Sequence, residues 1–129
     1  MNNQIVISAC DNELYLVAVE DSGQRSFELC HLLSGFSANV SVTINLAAGD
    51  WTKRHETIGN GQEPVDVKYD VQLPSGSYTL LAVGINWGGP GAFSLKLDGQ
   101  SYSMAPTNPT TPNVGVVWTP LVAKKIVIQ

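Results

Sequence analysis

Charged side chains are scarce in this sequence. Lys and Arg together number seven and Asp and Glu eleven, only 14% of the 129 residues, for a formal charge of −4. Seven scattered cations are too few to coat a phosphate backbone, so no nucleic-acid partner is expected. Cysteine is nearly absent too. Cys10 and Cys30 cannot build a disulfide scaffold, lie in no Cys-x-x-Cys context, and are most simply small buried apolar residues. No apolar run approaches the length of a membrane-spanning helix. The opening Met1-Asn2-Asn3-Gln4 has neither the basic start nor the apolar core of a secretory signal. Cytoplasmic synthesis without a signal peptide is therefore expected, with any release by a non-classical route. Catalytic motifs are missing as well: there is no Gly-x-Ser-x-Gly elbow and no His-Glu-x-x-His helix. His31 and His55 are the only histidines, and neither has a neighbour at metal-ligand spacing. His31, in an apolar run, reads as a core or interface residue, and His55, among charges, as a solvated one. Asp50 and Glu56 could be paired as glycosidase carboxylates, but any acidic loop offers such a pair, so no enzymatic activity is expected.

What the chain does have is 43% apolar residues, too many for a disordered chain and enough for one core. Residues 1–70 hold ten of the eleven acids and four bases, a net of −6; residues 71–129 hold Asp98 and three lysines, a net of +2. Six of the seven prolines fall in that neutral half. Strand patterns run through both halves without a linker-like break, so residues 1–129 read as one domain with an acidic end and a neutral end.

Period-two alternation dominates. Val40, Val42, Ile44 and Leu46 alternate with Ser41, Thr43 and Asn45, and Val67–Leu73 and Phe93–Leu97 repeat the pattern. Each suits a strand with one wet face. Leu14–Val19 and Tyr78–Ile85 are apolar at both parities, which predicts central strands covered on both sides. Ile5–Ile7 and Val122–Ile128 supply terminal strands, the second with lysines that discourage further pairing. Asp98-Gly99 suits a type I′ hairpin turn, and Pro74-Ser75-Gly76 predicts a second hairpin over 66–85. Arg25–Leu33 is open between a short helix and an irregular strand. The expected fold is all-β: an antiparallel β-sandwich, jelly-roll-like, of about eight strands. The chain has no internal repeat, which disfavours a trefoil or propeller.

Three loops stand out as places for function. Residues 47–64 either hide a strand over Thr52–Ile58 or form a ligand loop, in which Asp50, Lys53, Arg54, His55 and Glu56 gather polar groups beside Trp51. In Gly84–Gly91, four glycines surround Trp87, which either caps the core or forms a shallow platform with Asn86. The Pro/Thr-rich run 105–113 suits a rigid crossover; Thr107, Asn108 and Asn113 lie there without anything to select them. Aromatic plates beside polar groups suit sugars, whose C–H faces stack while hydroxyls hydrogen-bond. The candidate ligand-binding residues are Asn86, Trp87, Asp50, Trp51 and His55.

The stretch Gly76–Leu97, with Gly-Ser-Tyr-Thr-Leu, an Asn/Gly-rich loop and Gly-Ala-Phe-Ser, resembles the last hairpin of small bacterial galactose-binding lectins of the calcium-dependent LecA type. The resemblance covers about 22 of the 129 residues. It implies a β-sandwich, a sugar site at the 84–92 loop and oligomers that gain avidity. The family's calcium loop carries an Asn-Asp pair where this chain has Val83 and Gly84, leaving Asn86 as the one oxygen ligand; the residues do not support calcium, and no cofactor is expected. A saccharide ligand and a homo-oligomer follow as expectations. The alternative is a component of a bacterial toxin or surface assembly, its neutral half meeting a membrane or a larger protein partner.

Overall fold

Where apolar and polar residues alternate, one side of the backbone can leave water while the other stays in it. The computed structural model describes residues 3–35, 39–51, 57–88, 92–104 and 114–129. The alternating segments there form ten strands: β1 (Gln4–Cys10), β2 (Asn12–Glu20), β3 (Ser26–Ser34), β4 (Val40–Ala48), β5 (Val65–Leu73), β6 (Gly76–Asn86), β7 (Phe93–Leu97), β8 (Gln100–Met104), β9 (Gly115–Trp118) and β10 (Ile126–Ile128). They build two sheets, ordered β5-β4-β1-β7-β8 and β10-β6-β2-β3, with β9 also paired to β6. The architecture is an all-β sandwich.

Inner-facing residues of both sheets meet in one hydrophobic core. Ile5 and Ile7 of β1, Val42 and Ile44 of β4, Leu14 and Leu16 of β2, and Leu80 and Ala82 of β6 are fully buried. Each buried Leu or Ile contributes roughly 1.5–3 kcal/mol through removal of apolar surface from water. Arg25–Leu33 resolves as strand: β3 follows β2 in antiparallel register, with an irregularity at Leu16/Val17. Asp98 and Gly99 both take positive φ, 49° and 87°, and close the β7–β8 hairpin between the paired Leu97 and Gln100, as a type I′ turn requires.

Several expectations are corrected. Residues 66–85 are not a hairpin: β5 and β6 lie in different sheets, so the chain at Pro74-Ser75 turns a corner between layers. β5 instead pairs with β4, and in parallel, so one pair departs from the antiparallel pattern. The central strands β2 and β6 are buried on one face only. Their outward residues Val17, Val19, Leu81, Val83 and Ile85 are half-buried. The charge division also runs differently. β5, β4 and β1 share a sheet with β7 and β8, and β2 and β3 share one with β6 and β10. The acidic and neutral halves therefore meet side by side within both layers, not end to end.

Cys10 and Cys30 are buried, unpaired thiols. Burial pushes Cys30 up to about 11, and Cys10 is likewise held well above the usual thiol range, first by burial and then by its neighbours Cys30, Asp11 and Glu13. Neither forms appreciable thiolate at neutral pH, which leaves them as packing residues.

β1 and β2 belong to different sheets yet are separated by Asp11 alone. At this one-residue corner Asp11 is 3% exposed. The start of β2, the end of β3 and the end of β6 meet at this end of the sandwich, through the pairs Asn12↔Ser34 and Glu13↔Ile85.

Candidate functional site

Trp87 follows β6 at that end and is half exposed. It neither caps the core nor swings freely. Its backbone N–H donates to Asn12 Oδ1 at 2.8 Å, and its indole Nε1–H donates to Glu13 Oε1 at 3.2 Å. One region of the ring lies on Gly61, where a Cβ would come within 3.2 Å of the indole. Gly61, at φ +88°, is thus required both by its backbone and by the ring. Asn86, one residue earlier, is fully buried, and its Oδ1 accepts from the Gly88 N–H at 3.1 Å. It secures the loop from beneath.

Asp50 and Trp51 sit elsewhere. Trp51 is partly buried against the core, donates to the Glu28 carbonyl at 3.3 Å, and lies 5.6 Å from the Phe27 ring. Phe27 pairs with Ala18, whereas the Trp87 partner Glu13 is five residues earlier on β2, roughly 17 Å along the strand. Trp51 and Trp87 therefore occupy opposite ends, and a single site cannot draw on both. Asp50 is exposed beside Trp51. His55 lies outside the described residues, as do Thr107, Asn108 and Asn113. The segment 57–63 is partly legible: Ile58 bridges Leu32 in parallel, donating to the His31 carbonyl and accepting from the Leu33 N–H, so it lies along the outer edge of β3.

That docking assembles a polar chain missed by sequence reasoning. His31 is not a core residue: it lies half-buried on the outer face of β3, stacked on Tyr15 with centroids 4.1 Å apart and planes 5° off parallel. Its Nε2 contacts Glu13 Oε2 at 2.5 Å, and its Nδ1 contacts Thr57 Oγ1 at 2.8 Å. Burial works to raise the Glu13 carboxyl. The hydrogen bonds from His31 and Trp87, with the nearby imidazole and the Tyr15 hydroxyl, more than offset it and hold the group below the usual carboxylate range. Hydroxyl, imidazole and carboxylate stand in the order of a nucleophile, base and orienting acid. In the same segment the N–H groups of Gln62 and Glu63 both donate to Asn60 Oδ1. The array is joined to the indole through Glu13, which contacts His31 with one oxygen and Trp87 with the other.

On the other side of Asn12 lies a pocket of about 410 Å³ whose wall includes Ser8, Cys10, Asp11, Gly35, Asn39 and Ala92. Burial raises the Asp11 carboxyl to about 6, against a smaller lowering by its hydrogen bond with the Asn12 side chain. Asp11 Oδ2 is buried without a hydrogen-bond partner, and Ser34 Oγ likewise. Asn12 joins the two features, since it contacts Asp11 and also caps the Trp87 N–H. Among the described residues no group of three or more His, Cys, Asp or Glu is placed to hold a metal ion. Val83 and Gly84 lie inside β6, paired with Tyr15 and Leu14, with the Phe93 ring about 3.0 Å from where a Gly84 Cβ would stand. They are strand positions, not loop positions.

Trp87 and Asn86 were accessible to sequence reasoning because glycines flank a lone Trp. Asp11, Asn12 and Glu13 left a fainter signal: three polar residues between apolar strands, too few for a loop. No protein-family model, curated protein or solved structure matches the chain.

Proposed function

We propose that the protein is a non-enzymatic carbohydrate-binding protein whose site lies at the Trp87 end of the sandwich. The observation that carries this reading is the indole itself: half exposed, yet held at three points by Asn12, Glu13 and Gly61. A fixed aromatic plate loses little conformational entropy when a sugar stacks on it. The surrounding groups are of the kind that bind hydroxyls, with the Thr57 hydroxyl, Asn60 and Gln62 exposed on the adjoining segment. Asp50 and Trp51 take no part in it. A shallow site of this kind binds weakly alone, so the reading includes a homo-oligomer that gains by multivalency.

A glycan array followed by titration with simple sugars tests the reading. Trp87→Ala is expected to weaken binding at least about tenfold, roughly 1.4 kcal/mol. Asp50→Ala, at the far end, should leave it unchanged. Absence of binding to any glycan, or a Trp87→Ala variant that binds like the parent, defeats the proposal.

A second reading rests on a separate observation. Val116, Leu121 and Val127 are 61%, 68% and 49% exposed, and each pairs with β6 beside its outer face. With Leu81, Val83 and Ile85 they make an apolar outer surface in the neutral half, suited to a membrane or a larger subunit of a toxin or surface assembly. Liposome flotation separates the readings: co-flotation abolished by Leu121→Asp with Val116→Asp favours this one, and a protein that stays at the bottom of the gradient removes its membrane form.

A further inference from the structure

We propose that the pocket bordered by Asp11, Gly35, Asn39 and Ala92 is a second subsite of the same ligand site, in which the Asp11 carboxylate accepts a hydrogen bond from a sugar hydroxyl. The inference rests on the carbohydrate reading and extends it from a stacking plate to a polar recognition group.

Three observations converge. The pocket's volume of about 410 Å³ falls within the range of small-molecule sites and far exceeds the roughly 30 Å³ share of one water. Asp11, which lines it, is 3% exposed and has one carboxylate oxygen with no hydrogen-bond partner. That oxygen makes no hydrogen bond within the protein, so it is left as an acceptor for a ligand donor. The χ2 torsion of Asp is broad, so a small rotation turns the bare oxygen toward the pocket without disturbing the backbone.

The remaining wall decides what kind of donor fits. Ser8 and Asn39 are exposed and neutral, able both to donate and to accept, and the described lining holds no cationic side chain. A vicinal hydroxyl pair satisfies this set: one hydroxyl donates to Asp11 while its neighbour trades hydrogen bonds with Asn39. A bare cation would find a single carboxylate and no second charged ligand. An anionic group would meet the Asp11 carboxylate with only repulsion. The ligand is accordingly a neutral sugar. The pocket and the plate are linked by two routes: Asn12, next to Asp11 in the chain, accepts from the Trp87 N–H, and Gly35 lies close to the Gly61 carbonyl, with the Trp87 ring resting on Gly61.

The test is an amide correlation spectrum of the full chain titrated separately with galactose, mannose and fucose. The expected result is that one sugar shifts the Gly35, Asn39 and Ala92 amides together with the Trp87 indole N–H, with the same midpoint. Asp11→Asn and Asn39→Ala should each raise that midpoint about fivefold or more while the indole still responds at higher sugar. Asn39 is exposed, so its variant tests the subsite without altering the buried carboxyl. If the indole moves while the pocket amides stay silent, or if both variants titrate like the parent, the subsite is refuted and the carbohydrate reading stands. If no resonance moves with any sugar, both fall together.

Discussion

Asp11 illustrates how a single side chain can oppose the fold that contains it. In an unfolded chain its carboxyl titrates near the ordinary value of about 4; in the fold, burial lifts it to about 6. The native state thus holds a proton that the unfolded state has released, and stability falls as pH rises through that window. Below about pH 4 the carboxyl is neutral in both states and nothing is lost. Above about pH 6 the full penalty applies. Asp21 behaves in the opposite sense. Hydrogen bonds from Ser77, Thr79 and Lys125 hold it at about 2, so its contribution is present above pH 4 and disappears as pH falls toward 2. Urea unfolding at pH 4.5 and 7.5 is expected to show Asp11→Asn gaining on the parent at the higher pH and losing that advantage at the lower. An advantage independent of pH would mean that Asp11 is not the group responsible.

At the scale of elements, the segment 57–61 links the edge of β3 to the indole. Gly59 is its tightest point: at φ +80°, a Cβ there would stand 2.3 Å from the Leu33 carbonyl oxygen. Gly59→Ala is expected to cost about 1–3 kcal/mol and to lift the segment from β3. Thr57 would then leave His31, and Gly61 would leave the ring. A red shift of Trp87 emission, measured in a Trp51→Phe, Trp118→Phe background, checks it; unchanged emission and stability would show that the edge tolerates the change. Strands themselves were legible because alternation acts residue by residue: Val40–Leu46 and Phe93–Leu97 became β4 and β7 as read. Partnerships were not. Pro74-Ser75-Gly76 specifies a reversal of direction, and the same local chemistry serves a hairpin or a change of layer. The parallel β4–β5 pair depends on a crossover that no local pattern records. His31 stays open between core and interface in the sequence for a related reason: Arg25–Leu33 suits a helix or a strand, and only the pairing with Tyr15 reveals which face it shares.

For the whole molecule, layers and core followed from composition and period, while the site needed three distant stretches to converge. Residues 11–13, 31–35 and 57–61 meet 86–88 only once β2 has paired with both β3 and β6 and the 57–61 segment lies along β3. The order of the sheets then carries a consequence for how the chain comes into being. β1 lies between β4 and β7, and β2 between β3 and β6. During synthesis, each of these N-terminal strands finds its first neighbour within a few dozen residues and waits for its second until the C-terminal half emerges. A chain halted near residue 75 would hold two half-built sheets, each with an apolar strand open along one side, the state that invites pairing between molecules. Closure is therefore a late event dominated by long-range pairing, slow by the measure of loop entropy. The neutral second half of the sequence is what turns the acidic first half from a sticky intermediate into a folded one.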